Sequence, residues 1–228
     1  MNERDTRMCH DKAMQVIEDF KSDLGIIDPN LFKVAYSPII PARLFMVGDN
    51  PGGNPNDPST VDNYKEDYVD GEHDFLDEGY SLAVKTRQLF ATAFGSRGDE
   101  LLRRIPTTNV SFLRSRSALR GRALKMNRQR CWPYLVRLIQ IVRPKIILCN
   151  GMSVFKYLHS HITSVEEIDR AAPPPARGQH VYYRKVRGRL AILKNQRIDL
   201  IGFHHLSGYR WSNEKFANLT TLIRRDLG

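Results

Sequence analysis

Four hydrophobic runs punctuate the chain, "RLFMVG" (43–48), "TTNVSF" (107–112), "KIILCN" (145–150) and "DLIGFH" (199–204), and each stops abruptly at turn-forming residues. Runs this short and apolar read as strands buried on both faces, the condition of a parallel sheet. Helical spacing fills 81–94, 127–142 and 151–160 between them, and 6–20 and 212–226 at the two ends. Strands alternating with helices predict an α/β fold: a three-layer α/β/α sandwich around a central four-stranded, mainly parallel sheet. The stretch "HVYYRKVRGRLAILK" (180–194) reads as two strands joined at Arg187-Gly188, a small hairpin added before the last sheet strand. A chain of 228 residues suits a single domain, 1–228. It is interrupted by an acidic insertion at about 54–80 and a Pro-rich loop at 171–178, where three consecutive prolines cannot continue a helix or an interior strand.

Charge is segregated along this frame. Residues 54–80 hold nine acids against Lys65 alone, so the formal net charge of +10 is −8 within this stretch and +18 outside it. From Arg103 to Arg130 the chain carries nine Lys or Arg and no acid, among them Arg114, Arg116, Arg120 and Arg122. A basic protein with clustered arginines fits a polyanionic partner, DNA above all. The acidic stretch, poor in apolar residues, reads as a mobile solvated loop, or alternatively as a segment that lies over the basic groove and competes with DNA. Cys9, Cys131 and Cys149 lack the paired spacing of metal sites and read as buried or incidental thiols. No run approaches the roughly 18 apolar residues that would span a bilayer, and "MNERDTRMCHDK" lacks an apolar signal-peptide core. The expectation is a cytoplasmic, DNA-associated protein that does not enter the membrane.

In an open parallel sheet, ligands bind outside the carboxyl ends of the strands. Those ends read "GDNPGG", "TNVSFLRS", "CNGMS" and "FHHLSGYRW", and they would bring Asp49, Asn50, Asn109, Asn150, His204, His205 and Ser207 to one rim. Asn150, directly before Gly151, reads as a turn residue. His204 and His205 point to opposite faces of an extended chain, so one of them at most faces the rim.

With these ends in order, the chain resembles the uracil-DNA glycosylase superfamily over residues 40 to 225. Gly48-Asp49-Asn50-Pro51-Gly52 fits its first motif, Thr108-Asn109-Val110 its strand ending in a base-recognising Asn, and His205-Leu206-Ser207-Gly208-Tyr209 its C-terminal His-x-Ser motif. Leu206 stands where the family usually has proline. The resemblance implies a monofunctional DNA glycosylase, monomeric and without metal or other cofactor, that flips a uracil or modified pyrimidine nucleotide out of DNA and hydrolyses its N-glycosidic bond. Asp49 and Asn50 are then the candidates for positioning the attacking water, and His205 for donating to the leaving base. Asn109 would read the base edge in a pocket also formed by Gly48, Pro51 and Gly52. Tyr64, Tyr68, Phe75 and Tyr80 are candidates to stack on the flipped base. Ser207, Gly208, Tyr209 and Arg210 would contact DNA, with Tyr209 as the wedge, alongside Arg114, Arg116, Arg120 and Arg122. The alternative is a catalytically silent DNA-binding module of the same fold. A metal-dependent nuclease would need paired carboxylates, and the rim offers no convincing cluster.

Overall fold

The computed structural model describes residues 3–52, 72–115, 121–171, 183–194, 196–208 and 210–227. Six strands form one mixed sheet in the order β2-β1-β3-β6-β5-β4. They are β1 (Leu44–Gly48), β2 (Thr107–Asn109), β3 (Ile146–Asn150), β4 (Ile162–Ala171), β5 (Tyr183–Leu190) and β6 (Gln196–Phe203). The first four in spatial order run parallel, with Gly48 beside Asn109, Val47 beside Cys149 and Asn150 beside Phe203. Their carboxyl ends therefore share one rim.

The four hydrophobic runs are four strands because side chains alternate into two cores. Phe45, Val47, Ile147 and Cys149 join a cluster with α1 (Glu3–Leu24), α5 (Gly121–Val142) and α6 (Met152–His159). Leu44, Met46, Ile146 and Leu148 join a second cluster on the other face. Its helices are α2 (Asp74–Asp77), α3 (Ser81–Phe94), α4 (Gly98–Arg103) and α7 (Asn213–Leu227). In α1 the buried positions Ala13, Val16, Ile17 and Phe20 follow helical spacing. Phe20 then meets the rings of Phe32, Phe112 and Tyr134 edge-on, with centroids 5.2–5.6 Å apart. Arg224 of α7 donates from Nε to the Ala93 carbonyl at 2.6 Å, tying the last helix to the C-terminal turn of α3.

Two expectations about the sheet are corrected. It has six strands rather than four, since β5 and β4 extend it antiparallel beyond β6. Residues 183–190 form a single strand that passes straight through Arg187-Gly188, and its hairpin partner is β4, across the Pro-rich stretch. Gly188 is no turn. A Cβ there would lie 2.1 Å from Ile162 Cγ2, so glycine lets β4 approach where the pairing slips out of register. The acidic stretch is also not solvated throughout, because its described end, residues 72–80, contains α2 and buries His73, Asp74 and Phe75. Residues 53–71 and 172–182 lie outside the described set.

Gly202 is a point of close helix–sheet contact. A Cβ on it would sit 2.4 Å from Phe155 of α6, against both Cβ and ring. Gly202→Ala should therefore destabilise the fold by about 1–3 kcal/mol through overpacking, read as a lower denaturant midpoint with unchanged slope.

Candidate functional site

The rim is built around β1. α2 and α3, the next described helices after β1, pack on one face of the sheet, whereas α6, which follows the neighbouring β3, packs on the other. A crevice opens where adjacent strands diverge in this way. A cavity of about 700 Å³ lies there, lined by Gly48, Asp49, Asn50, Gly52, Asn109, Asn150, His205 and Ser207, with Lys33, Tyr36, Asp74, Phe75, Tyr80 and Arg114 completing its wall. Of the two adjacent histidines, His205 lines it.

The first motif is pinned by the strand next door. Gly48 and Asp49 accept backbone hydrogen bonds at 2.9 Å from Val110 and Ser111, which continues the pairing past the end of β2. Both amide hydrogens of Asn50 are used, Nδ2 donating to Ser115 Oγ at 2.9 Å and to the Pro51 carbonyl at 3.0 Å. What the Asn50 side chain keeps for the cavity is its carbonyl oxygen, an acceptor. Asp49 is held differently. Oδ1 accepts from Arg128 of α5 at 2.8 Å, and Oδ2 accepts from Ser153 Oγ of α6 at 2.8 Å. Arg128 is therefore no part of a solvated basic face: its side chain is 10% exposed and pairs with a carboxylate 25% exposed.

Asn109 is buried, and its Nδ2 donates to the Tyr36 hydroxyl at 2.7 Å. Its Oδ1 occupies the place where a side chain on Gly48 would go, a Cβ there falling 2.3 Å from it. Gly48 is thus needed for the Asn109 side chain to lie against the end of β1. Asn150 is more than a turn residue, because its buried Oδ1 accepts from the Leu206 amide at 3.1 Å and clamps the loop that carries His205. Ser207 Oγ lies 2.9 Å from His205 Nδ1. With the hydroxyl donating, Nδ1 is the acceptor and the ring proton sits on Nε2. Burial lowers the pKa of this imidazole, against the opposing charge of Asp49.

The aromatic wall comes from α2 and the segment before β1. Phe75 is buried, its centroid 5.8 Å from Tyr36 and 6.0 Å from Tyr80. Beside it, Lys33 and Asp74 form an ion pair with side-chain exposures of 4% and 7%. Withdrawing two charges this far from water costs several kcal/mol per ion before their attraction is counted. Lys33 Nζ also lies 4.8 Å from the centre of the Tyr36 ring. The sequence reading missed Lys33, Tyr36, Asp74, Ser115, Arg128 and Ser153. A lone lysine within the apolar run "FKVAY" was the signal for the first.

Among the proposed DNA contacts, Arg114 lines the cavity and donates to the Gly52 carbonyl at 3.1 Å. Ser207, Gly208, Arg210 and Arg122 are exposed. Tyr64, Tyr68, Arg116, Arg120 and Tyr209 lie outside the described residues. Arg103 and Arg104 pair with Asp77 and Glu100, so they are less available to phosphate than the sequence run suggests. Among the described residues no three His, Cys, Asp or Glu are grouped to hold a metal ion, and no helix is long and apolar enough to cross a membrane. No model of a known family and no curated protein matches the chain.

Two titrations follow from this geometry. His73 is buried, accepts from the Phe75 amide at Nδ1 and faces the Ile105 carbonyl with Nε2. Burial pushes its pKa down to about 4, although the Ile105 carbonyl favours the charged ring. The unfolded chain takes up this proton below about 6.5. Stability from the neutral ring is therefore complete above 6.5 and is lost as the pH falls toward 4. Denaturant titrations across this window should show a loss approaching about 3 kcal/mol that His73→Asn reduces. In NMR titration His205 should turn over below the usual imidazole value, and Asp49→Asn should move it lower still, since the Asp49 charge favours the protonated ring. A rise on that substitution would contradict the placement of Asp49.

Proposed function

We propose that the chain is a nucleic-acid hydrolase that acts on a base swung out of its stack. More specifically, it is a monofunctional DNA glycosylase that releases uracil or a modified pyrimidine and leaves an abasic site. The observation that carries this reading is the meeting of Asn50, Asn109 and His205 on one cavity, each delivered by the end of a different parallel strand and each held by a partner behind it. The order of these residues along the chain, with the motifs around them, supports the reading.

In this reading a water molecule held by the Asn50 carbonyl oxygen adds to C1′ as the bond to the base breaks, its electron pair leaving on the base; the water sheds one proton to solvent as the C1′–O bond forms, and the released base anion takes a proton from solvent. Positive charge develops on the sugar and negative charge on the base. His205 is kept neutral and carries its proton on Nε2, so it can donate to the base carbonyl oxygen as that oxygen becomes negative. Asp49 has both oxygens engaged by Arg128 and Ser153, which suits a fixed charge beside the cationic sugar better than a mobile base. The free carbonyl oxygen of Asn50, beside an Asp49 whose oxygens are both engaged, supports Asn50 as the residue that holds the water. Asn109 reads the base edge and Phe75 offers a ring for stacking. Arg114, Arg122, Arg210, Ser207 and Gly208 contact the backbone, and binding falls with added salt.

Asn50→Ala and His205→Ala should each slow release of uracil from a uracil-containing oligonucleotide by about 100- to 1,000-fold, measured as alkali-labile strand breaks. Unchanged rates in both would overturn the site assignment. Retarded DNA without any abasic sites would instead favour the silent binding module.

A further inference from the structure

Asn150 belongs to none of the motifs at the rim, yet the sheet fixes its place as firmly as theirs. The pairing that sets Val47 beside Cys149 puts Asn150 level with Gly48, on the far side of Gly48 from Asn109. Cys149 faces the core of α5 and α6 and Leu148 that of α3 and α7, so Asn150, two residues after Leu148, shares its face. That is the face of the cavity, which Met46, Gly48, Asn109 and Asn150 all line. Asn109, Gly48 and Asn150 thus form a row across three strands, each about 4.8 Å from the next, with an amide at either end and no side chain between.

The Asn150 side chain is half used by the protein. It is 2% exposed, and its Oδ1 accepts from the Leu206 amide at 3.1 Å. A backbone N–H can only donate, which fixes the oxygen on that side and turns Nδ2 with its two hydrogens the other way. Among the described residues nothing accepts from them. Holding Leu206 calls for an acceptor alone, and the nitrogen adds nothing to that bond. A buried donor left without a partner is unfavourable, and it occurs where a ligand or a water completes it. The orienting bond also depends on residue 206. Proline, usual at this place in the family the chain resembles, has no N–H to give, whereas Leu206 supplies one.

We infer that Asn150 is a second donor to the carbonyl oxygen of the leaving base, acting beside His205, an inference that rests on reading the cavity as the pocket of a flipped base. Asn109 Oδ1 lies over Gly48, where a Cβ would fall 2.3 Å from it, and is an acceptor suited to the N3–H of a uracil-type ring. Two ring carbonyls flank N3. One then lies toward β2, and the other toward β3 and β6, the strands that carry Asn150 and the His205 loop. Nδ2 of Asn150 meets that second oxygen together with Nε2 of His205, and the Leu206 bond holds the two donors in fixed relation. As the bond to C1′ breaks, the electron pair left on the ring is shared by this oxygen, and donors already in place oppose its charge without having to reorganise. Asn150 keeps both its hydrogens throughout. Its amide does not titrate, so this donor is present at every working pH.

The test reads single-turnover release of uracil and of 5-fluorouracil from otherwise identical oligonucleotides. Fluorine stabilises the departing anion, so release of the second base leans less on donors in the protein. Asn150→Ala removes the bond to Leu206 and the Nδ2 donor together, whereas Leu206→Pro removes the same bond and keeps the donor. With folding checked by circular dichroism, Asn150→Ala should slow uracil release by about 100-fold or more, at least about tenfold beyond Leu206→Pro, and the excess should shrink with 5-fluorouracil. Equal losses in the two variants, or an excess that is the same for both bases, leave Asn150 a clamp and overturn its contact with the base. If either variant does not fold, Asn150→Asp replaces the pair, since it keeps an acceptor for the Leu206 amide and has no Nδ2. A loss of uracil release above about tenfold that shrinks with 5-fluorouracil then upholds the contact, and any other result overturns it. Each of these failures leaves release by the wild-type chain, and so the glycosylase reading, intact. No release of either base by the wild-type chain overturns that reading and the role of Asn150 with it.

Discussion

β1 is paired on both edges and buried on both faces, and the positions of the polar groups in the cavity follow from that. A strand flanked by β2 and β3 in parallel has no freedom to slip, because a one-residue shift would exchange Phe45 and Val47 with Leu44 and Met46 between two different cores. Its last residue therefore stops at a fixed height beside Asn109, and Gly48 accommodates the Asn109 side chain where any Cβ would collide. The loop beyond inherits that rigidity through its backbone bonds to Val110 and Ser111. Asp49 and Asn50 are consequently delivered by the core of the protein rather than by a loop left to find its own conformation.

The parts of the fold that could be read from sequence are those with one dominant physical signal. β1, β3 and β6 announce themselves because burial on both faces demands unbroken apolar runs. β4 was missed because "ITSVEEIDRA" mixes apolar and charged residues, as a sheet-edge strand with an exposed face does. Gly188 misled because the same residue serves a turn and a close crossing, and only the third dimension distinguishes them. α5 begins six residues before the expected 127 because "GRALKM" is mostly exposed and carries no apolar stripe. The motif residues at strand ends were legible from order alone. Their supports were not: Arg128 reaches Asp49 across 79 positions, and Asp74 reaches Lys33 across 41.

The distribution of charge looks different once folded. The positive stretch 103–130 divides among several tasks: Arg103 and Arg104 meet acids, Arg114 lines the cavity, Arg122 is exposed, and Arg128 turns inward to Asp49. Counting cations in the sequence thus overstates what is offered to a polyanion. Asp74 shows the converse, an acid of the most acidic stretch spent inside the protein on Lys33. Net charge sums over the whole chain, while pairing decides which charges are left at the surface.

The segment before β1 serves two ends of the structure at once. Phe32 bridges Leu113 and Ala35 bridges Thr108, both antiparallel, so this stretch covers the outer edge of β2. An uncovered edge strand is a template for joining another chain. The same five residues that seal it also supply Lys33 and Tyr36 to the cavity wall. Protection against self-association and the shape of the pocket are therefore written into one piece of backbone. A shift of this backbone would therefore reshape the pocket and uncover the sheet edge together, whereas exchanging the side chains of Lys33 or Tyr36 changes the pocket alone.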